Sequence, residues 1–403
     1  MAIVKLERIK EFINISPAAE MLLEKNEKEI SFSVNFKTKD DEIIFCDAFV
    51  VYHNVVLGPA KGGIRMDPNV TLEETRRLAK IMTYKNALTE LPFGGGKSGI
   101  KIPTNTNISE FIRISIFKEY VHMIREELVA EHYIPAPDLG TDPFDMAVIY
   151  GELHKPECVT GKPVKIGGLP GRLEATGRSV ATSTKLYVEE IMKKKLENMK
   201  IAIQGFGNVG RWTSYFLYKW GAKIVAVSDI YGGIYNEKGF DIEKLFEYAP
   251  TKDITISDYP ESEKITNEEL LEMDVDILIP CATGGVINKE NGKYLKCKAI
   301  IEGANDPVTE EADKILEEMG IEVLPDFLCN SGGVIASYIE WRNAKSGNQT
   351  EKEETFNEID KKIIKCFHKV KETKEKLNIT YRESATLLAV KFLIEAMHER
   401  RWL

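Results

Sequence analysis

The chain has 403 residues, a net charge of −9, 43% hydrophobic and 29% charged residues. That length exceeds one ordinary core and implies two domains, and the acidic balance excludes a nucleic-acid-binding protein, which needs a basic face. No apolar run approaches the ~20 residues of a membrane span, and the N-terminal segment MAIVKLERIKEF is charged throughout, unlike a secretory signal, so a soluble cytoplasmic protein without a membrane partner is expected.

Six scattered cysteines form no C-x-x-C pair, which points to free buried thiols and to no disulfide framework or structural metal. Residues up to about Lys28 read as short amphipathic helices. Ile30, Phe32, Val34 and Phe36 then alternate with polar residues as a strand, the polar stretch Lys37 to Asp41 turns the chain, and IIFCDAFVVYH returns as a second strand. The edge of this hairpin-like start is free to pair with another subunit.

From Gly58 to Gly99 the chain carries three lysines in unusual settings. Lys61 in PAKGG and Lys97 in GGGKSG read as glycine-rich turns open to a ligand, and Lys85 lies on a helix between them, entered through the T-x-x-E capping box of Thr71 and Glu74. If the lysines converge, mutual repulsion and burial favour the neutral form of one, while two ammonium groups remain to hold two carboxylates. That combination suits a small dicarboxylic amino or oxo acid. Solvated surface charge is the ordinary fate of a lysine, and the adjoining glycines weigh against it.

The segment ISEFIRISIFKEYVHMIREEL reads as one long amphipathic helix, and HYIPAPDLGTDPFDMAVIYGEL as strand, Pro-rich loop and helix. Asp138 in that loop is either a proton carrier on a stiffened backbone or an Asx-type turn residue; both readings fit PDLGT. KIAIQGFGNVG then opens a second domain with a short strand, the G-x-G-x-x-G of Gly205, Gly207 and Gly210, and a helix. Asp229, 24 residues past the first glycine at the end of the strand KIVAVSDI, stands where such a unit places the acid that accepts ribose hydroxyls. Strands and helices alternate onward to IEVLPDF, implying a mostly parallel sheet with helices on both faces and a ligand at the carboxyl ends of its strands. Thr283, Asn305 and Asn330 lie in the loops at those ends and suit a carboxamide and ribose, as they also suit plain turns. SGGVIASYIEWRNA leaves this domain as a helix, 343–354 is a polar loop, and amphipathic helices at 352–376 and 382–398 return to the first domain.

GPAKGGIRM, MTYKNAL, LPFGGGKSG, PAPDLGT, VTGKPV, EATGR, QGFGNVG, EGAN and DFLCNSGGVIASYIEW resemble, in order and over nearly the whole chain, the motifs of the glutamate/leucine/phenylalanine/valine dehydrogenases, and most of all their compact hexameric glutamate-specific branch. The resemblance implies an α/β fold with a substrate-binding and oligomerisation domain at 1–178, completed by helices at 345–403, and a Rossmann-like, doubly wound dinucleotide domain at 179–344. It implies that Lys97 activates water and Asp138 exchanges a proton with the substrate nitrogen. Lys85, with the backbone of Gly62 and Gly63, would hold the α-carboxylate, and Lys61 with Ser337 the γ-carboxylate. Thr176 and Asn330 would line the nicotinamide, and Gly205, Phe206, Gly207, Asn208 and Val209 would cradle the pyrophosphate at a helix N-terminus. Glutamate, 2-oxoglutarate and ammonium are the implied substrates, NAD or NADP the cofactor, and a homohexamer the assembly. Asp229, followed by the uncharged Ile230 and Tyr231, inclines the reading to NAD.

The chain departs from this pattern at Ser98, directly after Lys97, at CATGG (281–285), and at Asp306, Ser331 and Ile335. The alternatives are a dehydrogenase of an apolar amino acid, with Lys61 turned away, and a non-catalytic subunit that keeps the fold.

Overall fold

The alternation of apolar residues from Ile30 to Phe36 becomes strand β1 (Lys28–Lys37), paired antiparallel with β2 (Ile43–Asn54), so that Lys37 faces Ile43. The computed structural model describes residues 3–38, 43–104, 108–251 and 254–403, and the turn expected at Lys37 to Asp41 lies, from residue 39 on, outside them. β2 continues the sheet to β4 (Gly94–Lys101), which runs parallel to β3 (Ala60–Met66), and β3 runs parallel to β5 (Tyr133–Pro137), giving the order β1-β2-β4-β3-β5.

The glycine-rich motifs around Lys61 and Lys97 are therefore adjacent strands, where turns were expected. Glycine serves packing here. A Cβ on Gly62 would stand 1.7 Å from the Gly96 carbonyl oxygen of the neighbouring strand, and one on Gly95 would stand 2.0 Å from Thr83 Oγ1 of helix Leu72–Leu88. Bare backbone lets that helix lie directly on the sheet. The Thr71 hydroxyl caps the helix, accepting from Glu74 N at 3.1 Å, but the expected capping box is half formed, because the Glu74 carboxylate accepts from Arg65 and not from the Thr71 backbone.

The opposite face of the sheet is apolar. Val34, Cys46, Ala48, Val50, Tyr52, Ile64 and Ile100 form one buried cluster with Ile116, Phe117 and Tyr120 of helix Glu110–Met123 and with Met146 and Ile149 of helix Pro143–Leu153. The single helix expected across 108–128 breaks at Ile124 into Glu110–Met123 and Arg125–Val129.

The second sheet has the order β12-β11-β10-β6-β7-β8-β9. Its parallel strands are β6 (Lys200–Gln204), β7 (Lys223–Ser228), β10 (Ile277–Pro280), β11 (Ala299–Ile301) and β12 (Glu322–Leu324), and their apolar runs are buried as a parallel sheet requires. Two three-residue antiparallel strands, β8 (Gly233–Tyr235) and β9 (Glu263–Ile265), extend it beyond β7. Among the described residues no helix is long and apolar enough to cross a membrane.

The chain divides into two compact units. One comprises Leu6–Arg172, Val334–Thr355 and Leu388–Leu403 and holds the first sheet; the other comprises Leu173–Gly333 and Phe356–Leu387, with Met1–Lys5, and holds the second. All of 345–403 was expected with the first unit, but residues 356–387 belong to the second. Charge fixes them there. Arg382 donates to both carboxylate oxygens of buried Glu302 at 2.8 and 3.0 Å and to Asp313 at 2.7 Å, and Asp360 accepts from Arg178 and from Thr182.

Candidate functional site

Lys61 of β3 pairs with Gly95 of β4 and with Ile134 of β5. Because side chains alternate along a strand, this register puts Lys61, Arg65, Lys97 and Asp138, the residue just beyond β5, on one face of the sheet. Helix Leu72–Leu88, which carries Lys85, covers that face through Ala79 and Thr83 against Gly95. The three lysines are thus buried on one side of one sheet, at 1% (Lys61), 7% (Lys85) and 5% (Lys97) exposure.

Lys97 Nζ forms an ion pair with Asp138 Oδ2, and Arg65 Nε approaches the same oxygen at 3.3 Å. Arg65 also donates through Nη1 to Glu74 Oε1 at 2.5 Å. Burial drives the pKa of Lys97 down, and the attraction of Asp138 only partly opposes it. For Asp138 burial acts upward, but the charges of Lys97 and then Arg65 outweigh it and hold the carboxyl at about 2.

The backbone around Asp138 is fixed independently of its carboxylate. Asp138 N donates to Thr141 Oγ1 at 2.8 Å, and that hydroxyl donates to Ile64 O at 2.8 Å. Gly140 sits at φ +77°, where a Cβ would strike the Met66 carbonyl at 1.8 Å, and Arg113 holds the Gly140 carbonyl at 3.0 Å.

A second charged cluster surrounds Lys61, whose Nζ reaches the Pro135 carbonyl at 3.5 Å. Burial pushes this amine well below the usual lysine range, Arg172 pushes it further and Glu340 opposes. Arg172 is itself lowered by burial, and its Nε is buried without a partner among the described residues. Glu340 is engaged already: it accepts from Gly161 N at 2.8 Å, Lys162 N at 3.3 Å and Lys162 Nζ at 2.8 Å, in a fully buried pair. Ser337, 2% exposed, lies one turn before Glu340 on helix Gly332–Ser346. Gly62 and Gly63 bring bare backbone to the same strand, and the Tyr133 hydroxyl donates to Gly62 O at 3.0 Å.

Ser98 faces the other way. Its hydroxyl donates to Phe49 O at 2.8 Å and accepts from Tyr120 at 2.9 Å on the apolar side of the sheet, so this departure leaves the Lys97 face unchanged.

In the other unit the three glycines after β6 have separate tasks. Gly205 adopts φ +95°, Gly210 would place a Cβ 1.8 Å from the Gly205 carbonyl, and a Cβ on Gly207 would meet nothing within 4 Å. The middle glycine thus opens space in front of the first turn of helix Asn208–Lys219, where a pyrophosphate would face backbone N–H groups, with Phe206 buried and Val209 in the helix. The loops after β10, β11 and β12 meet: Gly285 N donates to Asp306 O at 2.9 Å, and Asn330 Nδ2 donates to Ala304 O and Asn305 Oδ1 at 3.1 and 3.0 Å. Thr283 is exposed in the first of these loops, and Thr176 opens helix Ala175–Leu186. Asp306 holds φ +56°, a conformation that ordinarily favours glycine.

Asp229 is differently occupied from what its position implies. Oδ1 accepts from Tyr231 N, Gly232 N and Ser257 Oγ at 2.8, 3.2 and 3.4 Å, and Oδ2 from Thr255 Oγ1 and Ile256 N at 2.9 and 2.8 Å. Five internal donors saturate a carboxylate with about four lone-pair sites. Asp229 ties its own turn to residues 255–257, so its carboxylate is already engaged within the chain.

Arg65, Arg172, Lys162 and Glu340 escaped the sequence reading. Arg65 had a usable signal, since its even spacing from Lys61 fixes the same strand face once the segment is known to be extended.

A family profile described as "Glutamate/Leucine/Phenylalanine/Valine dehydrogenase" matches residues 167–401, and one described as "Glu/Leu/Phe/Val dehydrogenase, dimerisation domain" matches residues 26–155. The glutamate dehydrogenase of Thermotoga maritima is 38% identical over 99% of this chain and 97% of its own. The NADP-specific glutamate dehydrogenase of Saccharolobus shibatae is 39% identical over 98% of this chain and 95% of its own. Among solved structures, the hetero-hexameric glutamate dehydrogenase of Thermus thermophilus, in its Leu-bound form, superimposes with a TM-score of 0.90 at 27% identity, covering 98% of this chain and 95% of that one.

Proposed function

The chain belongs to the glutamate/leucine/phenylalanine/valine dehydrogenase family, an amino-acid dehydrogenase acting on a CH–NH2 group, and on that premise we propose that it interconverts L-glutamate and 2-oxoglutarate plus ammonium with NAD or NADP. The observation that carries the choice of substrate is the Lys61 cluster. Lys61 is buried and Arg172 half-buried beside Glu340, a carboxylate that already serves Lys162. Such an excess of buried cation calls for an anion, and a substrate γ-carboxylate supplies it; an apolar side chain would leave the cost of burial, several kcal/mol per ion, unrelieved.

In this reading Lys97, whose amine loses its proton readily, activates the water that hydrolyses the iminium, and Asp138 exchanges a proton with the substrate nitrogen. Lys85 with Gly62 and Gly63 holds the α-carboxylate, and Ser337 assists Lys61. A bound dinucleotide would supply the hydride acceptor; Gly205 to Gly210 would hold its pyrophosphate, and Thr176, Thr283, Asn305 and Asn330 its nicotinamide half. A spectrophotometric assay of reduced-cofactor formation with glutamate, leucine, valine and phenylalanine tests the substrate. Reduction with glutamate alone is expected; reduction mainly with an apolar amino acid would mean that Lys61 does not face the substrate.

For the cofactor we infer NAD by a small margin. The charge of Asp229 remains at the end of β7, with exposed, uncharged Ile230 and Tyr231 beyond it, and opposes a 2′-phosphate. Its internal hydrogen bonds limit that effect to about fivefold in kcat/KM, the ~1 kcal/mol of a screened charge. Comparison of kcat/KM for NAD and NADP checks this, and a clear preference for NADP overturns it.

A homohexamer is proposed on the free edge of β1, the family's dimerisation-domain description and the hexameric neighbour. Six buried free cysteines support a reducing, cytoplasmic setting.

A further inference from the structure

Two groups that share one buried face have conflicting charge requirements. If Lys97 is to act as an amine while Asp138 acts as a carboxylate, the pair must carry a net charge of −1, yet two such groups in contact are most stable as ammonium and carboxylate. Asp138 would then hold the proton on Lys97. The third group at the same oxygen resolves the conflict: Arg65 Nε lies 3.3 Å from Asp138 Oδ2, the atom that Lys97 Nζ contacts. A guanidinium keeps its charge at all working pH values. With Arg65 present, amine plus carboxylate plus guanidinium is the neutral arrangement, and the extra proton on Lys97 makes it cationic.

We propose that Arg65 is a positioning residue that takes a share of Asp138 and so frees Lys97 to give up its proton, and that Glu74 sets the size of that share. Glu74 lies in the first turn of helix Leu72–Leu88 and accepts from Arg65 Nη1 at 2.5 Å. It draws the guanidinium charge away from Asp138, so it works against Arg65. The charged groups that act on Lys97 are then Asp138 from the loop after β5, Lys61 and Arg65 from β3, and Glu74 from the covering helix. Arg65 and Glu74, bonded to each other, act on Lys97 in opposite directions: the guanidinium weakens its hold on the proton and the carboxylate strengthens it. The inference deepens the reading of Lys97 and Asp138 given above and rests on it for its catalytic meaning.

The test measures Lys97 directly. Its rate of acetylation by acetic anhydride is followed against pH by peptide mass spectrometry in the full-length protein, its R65Q, R65K and E74Q variants, and glutamate oxidation is profiled on the same samples. The labelling midpoint is expected to rise by about one pH unit in R65Q, the lower end of what one nearby charge does, to stay with the unaltered protein in R65K, and to fall in E74Q. The alkaline rise of kcat/KM should follow the same order. A Lys97 midpoint that is equal in all four proteins, or that moves the same way in R65Q and E74Q, overturns the proposal. E74Q keeps the test open if R65Q does not fold, because an unmoved midpoint there is also contrary. Shifted labelling in a protein that oxidises no glutamate would uphold the charge-sharing and sink the assigned activity; glutamate oxidation with unmoved labelling would do the reverse.

Discussion

Alanine in place of Lys97 is expected to lower kcat for glutamate oxidation by ~10²–10⁴-fold, the range a positioned proton-transfer group supplies. The amine is buried against Asp138 and nothing else on β4 can replace it: its strand neighbours on the same face are Gly95 and Gly99. Dinucleotide affinity, read by fluorescence titration, should hardly change, since Gly205 to Gly210 belong to the other unit. The loss should be deepest on the alkaline side. Burial favours the uncharged amine, so activity that depends on it is low in acid and rises as the remaining proton leaves. A variant that keeps more than about a tenth of the turnover would show that the role is misassigned.

The second large effect concerns stability. Lys162→Met is expected to destabilise the protein by ~3–5 kcal/mol, the cost of leaving a buried charge without its partner. Glu340 would retain its two backbone donors, Gly161 N and Lys162 N, but no bonded cation. Urea unfolding should show the loss as a lower midpoint. The double change Lys162→Met with Glu340→Leu should recover at least about half of it, because removing both charges also removes the desolvation penalty. A single variant as stable as the parent would mean that Glu340 finds another partner, and Arg172 is the neighbour best placed to provide one.

The legibility of this chain varied with the range of the interaction that fixed each feature. Helix Leu72–Leu88 and the Gly205 to Gly210 turn could be read from the sequence because caps, periodicity and glycine spacing are local. GGGKSG could not be read as a strand, since four glycines in six residues carry no strand propensity. What makes it one is a helix seated on bare backbone, a tertiary fact. β8 and β9, three residues each, are too short to show a period. The lysines announced a site through their glycines, while Lys162 and Glu340 looked like ordinary charges because their contact spans 178 residues of sequence. Asp229 is the opposite case. Its position matched a nucleotide-binding pattern, but the donors at 255–257 that claim its carboxylate lie in a stretch with no pattern of its own. For the C-terminal helices, amphipathicity indicates that a face is buried and is silent on where, which is how residues 356–387 came to be misplaced.

The two units are interleaved along the chain, and this bears on how the protein is made. The unit with β1 to β5 lacks its Ser337 helix until residue 355 and its last segment until residue 403, and the unit with β6 to β12 lacks the partner of Glu302 until Arg382 has been added. Domains generally fold as they leave the ribosome, the N-terminal one first. Here the early sheet must wait for residues 334–355, which bring Glu340 to Lys162, and for 388–403 before its unit is complete. A nascent chain arrested just short of Arg382 should therefore remain protease-sensitive in both halves.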